Sequence, residues 1–358
     1  MVHAVKKRLL PVAHGRIEGF VAWTSPAWVL GTYALGLLVS GVLGLWFPLT
    51  GALLCTFFTV LLWAETSGRF SLFRRLVFKQ PSYNLVVPIH DQPKRSLGTV
   101  VISANLDSPS WRPKSPSWLR RPMKAVIGAA IVVTSLLYLS VLAQPWGRPT
   151  QSMYLVALIV LGVTVAMGVL MQRRTDGGDE DASGPAVLLE LIRRVSENPP
   201  PNTQIWGVFT GCGHAYQNGM AAFLAMHGKT LPDPVFVVAL DDPGRGPVGG
   251  VVSEGSLFAQ AHRPTGPALV ERLRWAGVEI PIVDKAGETD ARAALLAGYR
   301  AIALSGCPGA QPDVESALFA ADVAERLVRW FDEDLARIEV DAPLLERFQR
   351  PRPDEVDS

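Results

Sequence analysis

Four long stretches without a charged residue constrain this chain most: Ala27 to Phe47, Leu49 to Ala64, Ala125 to Ala143 and Met153 to Met171. Each approaches the roughly 20 residues that let a helix cross hydrocarbon. A mean hydropathy of +0.23 points the same way. Only Pro48 separates the first two stretches, and Gln144-Pro145-Trp146-Gly147 opens the link between the last two, so the pattern predicts two hairpins of transmembrane helices. Trp23, Trp28, Trp46, Trp63 and Trp146 fall near the expected ends, where interfacial anchors belong.

Basic residues give this arrangement a direction. Lys6, Lys7, Arg8 and Arg16 precede the first stretch, Arg69, Arg74, Arg75 and Lys79 follow the second, and Arg112 to Lys124 carries five more. The two hairpin tips hold only Arg148. Positive charge stays inside, so the expectation is a multi-pass inner-membrane protein with both termini and all polar sequence in the cytoplasm. The first stretch is too long for a signal-peptide core and lacks a small-residue cleavage site, so it should be retained. Anionic lipid accounts for the basic flanks, which makes the bilayer the expected partner and gives no reason to expect nucleic acid. Three cysteines, Cys55, Cys212 and Cys307, form no disulfide framework, in keeping with a reducing compartment.

Outside these stretches, strand-length apolar runs alternate with amphipathic helices. Strands are expected at 84–89, 99–104, 203–209, 235–240, 278–283 and 301–304, and helices at 185–195, 214–226, 266–275, 289–297 and 314–338. Such alternation predicts an α/β/α sandwich on a mostly parallel or mixed sheet. The expected organisation is a cytoplasmic segment 1–26, a membrane hairpin 27–65, a first part of the α/β domain 66–122, a second hairpin 123–172 inserted in it, the rest of the domain 173–340, and a tail 341–358.

The run Asp179-Glu180-Asp181 stands directly before Ser183-Gly184-Pro185 and an apolar-periodic helix. Crowded carboxylates suit a cation, and they also suit the N-terminal end of a helix dipole. Further motifs follow in order: Ser103-Ala104-Asn105-Leu106-Asp107, Thr210-Gly211-Cys212-Gly213-His214, Ala239-Leu240-Asp241-Asp242 and Glu288-Thr289-Asp290. Gly244-Arg245-Gly246 and Gly249-Gly250 lack the strand–glycine–helix setting of a phosphate loop and read as hairpin turns.

In this order and spacing the motifs resemble metallopeptidase family 28, the co-catalytic zinc aminopeptidases and carboxypeptidases. The resemblance implies a zinc-exopeptidase fold over roughly 82–335, with the second hairpin set aside. It also implies roles, and several positions depart from them. A metal-binding His corresponds to Asn105, while the acid that orients it corresponds to Asp107. The bridging carboxylate corresponds to Glu180, or to Asp181 after a one-residue slip. The general base falls on Gly213, and a metal carboxylate falls on His214. A terminal metal aspartate corresponds to Asp241, and the last metal His falls in a loop, 307–314, that has no histidine. Asparagine is a poor zinc ligand, and glycine cannot accept a proton.

The expectation is therefore a membrane-anchored zinc-peptidase-like domain without ordinary peptidase activity and without metal, binding a ligand or a partner such as a peptide, a protein or a membrane component. The alternative is a rearranged hydrolase holding one zinc ion on Glu180 or Asp181, His214 and Asp241, since three protein ligands and a water suffice for a catalytic zinc. Asp107, Asp241 and Asp290 also read as turn-capping residues, and Cys212 as a small buried residue or a nucleophile beside His214.

Overall fold

The structure, a computed structural model, describes residues 14–22, 26–44, 46–67, 80–89, 96–106, 182–213, 217–255, 260–262, 265–285, 287–306 and 313–340. In chain order these form β1 (Arg16–Ala22), α1 (Pro26–Leu43), α2 (Pro48–Ser67), β2 (Gln80–Pro88), β3 (Gly98–Asn105), α3 (Ser183–Glu197), β4 (Thr203–Thr210) and α4 (Asn218–His227). Then come β5 (Val235–Asp241), β6 (Gly249–Glu254), β7 (Gln260–Ala261), α5 (Thr265–Trp275), β8 (Ile282–Lys285), α6 (Asp290–Leu296), β9 (Arg300–Ser305) and α7 (Val314–Val340). The chain divides into two compact units, one of Met1–Thr24, Lys79–Ser108 and Gly177–Ser358, the other of Ser25–Phe78 and Pro109–Asp176.

In the first unit one sheet runs β1-β2-β4-β3-β5-β9-β6-β7, with β8 also paired to β6. The centre, β4-β3-β5-β9, is parallel, while β1, β2 and β6 join antiparallel. Central strands are apolar on both faces because helices cover both. Leu85, Val100 and Ile102 pack with Leu188 and Ile192 of α3, Leu273 of α5 and Leu327 of α7. On the opposite face Val86, Val101 and Val208 pack with Phe223 of α4 and Ala294 of α6. The α/β/α layering expected from the alternation is present.

Three strands escape the sequence pattern. In β1 the apolar residues alternate weakly, and β7 has only two residues. In β6, Gly249 and Gly250 form a strand rather than a turn, for a steric reason. A Cβ on Gly249 would lie 2.4 Å from Val283, and one on Gly250 would lie 2.4 Å from Val270. Glycine lets β8 and α5 close onto this strand. The strand expected at 278–283 starts later, at Ile282.

The described part of the second unit is the α1/α2 hairpin. Its helices touch closely: a Cβ on Gly51 would lie 2.4 Å from Gly44 Cα, and one on Gly36 would lie 2.5 Å from the Phe58 ring. Tyr33, Leu37, Ala52, Cys55 and Leu62 are buried, while Leu35, Leu53, Phe57, Val60 and Trp63 are exposed.

The transmembrane expectation does not hold for this hairpin. Among the described residues no helix is long and apolar enough to cross a membrane. The first apolar stretch breaks at Gly44 rather than at Pro48, leaving α1 with 18 residues. At 1.5 Å per residue that is about 27 Å, short of the roughly 30 Å hydrocarbon core. Helix α2 reaches its 20 residues only through Glu65-Thr66-Ser67. The four-span fold and the multi-pass inner-membrane placement are corrected accordingly, and the second expected hairpin, 123–172, lies outside the described residues.

Candidate functional site

The four parallel strands at the sheet centre each end on a polar residue: Asn105 on β3, Thr210 on β4, Asp241 on β5 and Ser305 on β9. Strand register sets Asn105 against Thr210 and Asp241 against Ser305. Ligand sites of open α/β sheets lie beyond these carboxyl ends. All four residues are buried, so their polar atoms must find partners.

They find them in two networks. In the first, the Thr210 hydroxyl lies 2.7 Å from Asn105 Oδ1 and 2.8 Å from Asp290 Oδ2, at the first turn of α6. A hydroxyl carries one proton, so either the Asn105 amide presents its nitrogen to Thr210 or Asp290 carries a proton. In the second, Lys285 forms an ion pair with Asp241. The Ser305 hydroxyl donates to Asp241 Oδ2 at 3.2 Å and accepts from Lys285 Nζ at 3.3 Å.

Gly213 sits directly against the first network. A Cβ there would lie 1.9 Å from Asn105 Oδ1, 2.3 Å from its Cγ and 2.6 Å from its Nδ2. The Asn105 amide thus fills the space in which any side chain at 213 would begin. In the zinc-exopeptidase resemblance these are the metal-histidine and general-base positions, so the two departures occupy one volume.

Backbone strain surrounds the site. Among the described residues the non-glycine positions with positive φ are Cys212 at 54°, Gln217 at 48° and Asp242 at 50°, all just beyond β4 and β5. Such conformations persist only where neighbours hold them. Asp242 accepts a hydrogen bond from the Ser183 hydroxyl at 3.0 Å and pairs with Arg245 at 2.8 Å. The loop after β4 is pinned by Asn84, whose Oδ1 accepts from Gly211 N–H at 3.0 Å and whose Nδ2 donates to Gly219 O at 2.8 Å.

Behind α6 lies a second buried acid. Glu254 and His262 pair at 2.8 Å with both side chains fully buried, and Glu254 also accepts from Thr289 N–H at 2.7 Å. This carboxylate fixes the start of α6 and so the height of Asp290 above Thr210.

Of the residues expected from sequence, Asn105, Gly213 and Asp241 come together at the sheet's carboxyl edge. Asp107, Glu180, Asp181 and His214 lie outside the described residues. The N-cap position of α3 is Ala182, without a side-chain cap bond. Gly184 places that helix start against β5, where a Cβ would lie 3.0 Å from Leu240 O. Asp241 is in an ion pair with Lys285, and Asp290, in the first turn of α6, holds Thr210. Lys285 and Ser305 escaped the sequence reading, and Thr210 entered it only within a motif, without a role.

A zinc pair needs a bridging carboxylate, histidine or carboxylate ligands, and a base near the attacking water. The described residues do not fit it. Asn105 is bound to Thr210, Gly213 has no room for a side chain, and Asp241 is neutralised by a lysine. Among the described residues no group of three or more His, Cys, Asp or Glu could hold a metal ion.

No family model and no curated protein matches this chain. Solved structures overlap it loosely. A leucine aminopeptidase precursor from Bacteroides thetaiotaomicron is 12% identical, with 70% of this chain and 78% of that one covered and a TM-score of 0.43. The glutaminyl cyclase of Porphyromonas gingivalis is 13% identical, covering 72% and 79% at a TM-score of 0.42. A zinc aminopeptidase from Bacillus subtilis is 12% identical over 68% of this chain at a TM-score of 0.40, and the match spans about half of that enzyme, 49%. These chains are what this one is similar to, and overlaps this loose assign it neither a family nor a chemistry.

Proposed function

We propose that the α/β unit binds a peptide or protein partner at the carboxyl edge of its sheet and does not act as a metallopeptidase. One observation carries this reading: the Asn105 amide occupies the volume where a side chain at Gly213 would start. A general base cannot be supplied from that position, and losing a positioned base typically costs 10²–10⁴-fold in rate. The rearranged single-zinc alternative needs Asp241 as a ligand, and Asp241 is held by Lys285 and Ser305. The strained, well-braced turns after β4 and β5 support a recognition surface, since such strain gathers at binding sites.

The test combines two assays on the purified full chain. Hydrolysis of aminoacyl-p-nitroanilides is measured with added zinc, and binding of fluorescent peptides is measured in chelator. The expected result is peptide binding unaffected by chelator, weakened by substitution at Thr210, with no turnover above background. Turnover abolished by Asp241→Ala overturns the proposal.

A further inference from the structure

We infer that Lys285 is a built-in counter-cation, holding its ammonium where the zinc-exopeptidase resemblance puts a metal ion on Asp241. This deepens the metal-free reading above and rests on it. A buried carboxylate needs a compensating positive charge, because desolvation penalises it heavily when it stands alone. Co-catalytic zinc enzymes meet that need with metal. Here the Asp241 side chain is 7% exposed and its partner is the lysine at the end of β8.

The hydroxyl of Ser305 completes the arrangement. Lysine offers three donors and serine one, so Lys285 donates to both Asp241 and Ser305 while Ser305 donates to Asp241. Two ammonium protons and the serine proton are thereby placed within the triangle. A divalent ion arriving at Asp241 would face the ammonium already paired there and would have to expel it. The Lys285 side chain is 21% exposed, so part of it reaches solvent. It places a cation at Asp241 without Lewis acidity, and ligands meet a hydrogen-bonding surface rather than an open coordination position.

The experiment is a double-variant cycle on the chelator-treated full chain, read by melting temperature with and without zinc chloride. Breaking a buried pair from one side, by Lys285→Met or Asp241→Asn, is expected to lower Tm by roughly 10 °C in a domain of this size. The double variant, which removes both charges, is expected to recover at least half of that loss. Zinc is expected to leave the wild-type Tm unchanged. Harmless single variants, a double variant whose loss equals the two single losses together, or a double variant that fails to fold each overturn the assignment. So does a zinc-dependent rise in wild-type Tm that Asp241→Asn abolishes. Asp241-dependent peptide turnover defeats the functional reading instead, whatever the cycle shows. Absent recovery without turnover defeats only the ion-pair assignment.

Discussion

Gly213→Ala adds one methyl group at the point where the two departures from a peptidase site meet. Its Cβ would lie 1.9–2.6 Å from three atoms of the Asn105 amide, against the 3.5–4.0 Å at which non-bonded atoms settle. The amide must retreat by more than an ångström, in a side chain that is only 5% exposed. Overpacking a tight site costs about 1–3 kcal/mol. The retreat also breaks the 2.7 Å contact with Thr210, a further loss of about 1 kcal/mol. The expected destabilisation is therefore about 2–4 kcal/mol, measured by urea unfolding. The backbone at 213 does not contribute strain of its own, because its φ is not in the left-handed region. Asn105→Ala removes all three clashing atoms, so in that background the added methyl should cost at least about 1 kcal/mol less, a coupling usual for residues in contact. A Gly213→Ala protein as stable as the wild type, or one equally destabilised with and without the Asn105 amide, would refute the claim that these residues share one volume.

Two further outcomes are expected. Glu254→Ala should cost about 3–5 kcal/mol in urea unfolding, because it strips a fully buried partner from both His262 and Thr289 N–H; a loss below about 1 kcal/mol would mean that the start of α6 is held by something else. Glu190 is held down to about 2 from an ordinary 4.5, first by its hydrogen bond to Arg193 and then by Arg194. A depressed carboxylate stabilises the folded state fully above its unfolded value and loses that stabilisation as pH falls from about 4.5 toward 2. Glu190→Gln should flatten the stability profile in that window, and because Glu190 and Arg193 are 28% and 47% exposed, solvent screening keeps the effect small. An unchanged acid limb of the profile would refute this role.

The layered fold was legible because its central strands are apolar on both faces and its helices keep an amphipathic period. The runs at Thr203 and Val235 fall on β4 and β5, and the period from Pro185 falls on α3. What failed was local pattern whose cause is tertiary. Gly249 and Gly250 look like a turn because the sequence does not show Val270 and Val283 pressing on them. The uncharged stretch around Pro48 looks like two spans because the sequence does not show the first helix ending at Leu43, beside the close approach of Gly44 and Gly51. At the site, sequence showed asparagine at 105 and glycine at 213 where the peptidase resemblance implies a histidine and an acid, but not that the two residues meet. Lys285 is the last residue of a short strand, and nothing adjacent in sequence marks Asp241 as its partner. Ion pairs between distant segments leave no periodic trace.

The contact between Asn105 and Gly213 also bears on how such a site could change over evolutionary time. A carboxylate introduced at 213 collides with the amide already there, and an imidazole introduced at 105 is larger than the amide it would replace in a nearly closed space. Either step alone lowers stability before any ligand or base can act, and Lys285 would still hold the aspartate. A lineage carrying this arrangement crosses a fitness valley to place a histidine at 105 together with an acid at 213, so the geometry works as a ratchet.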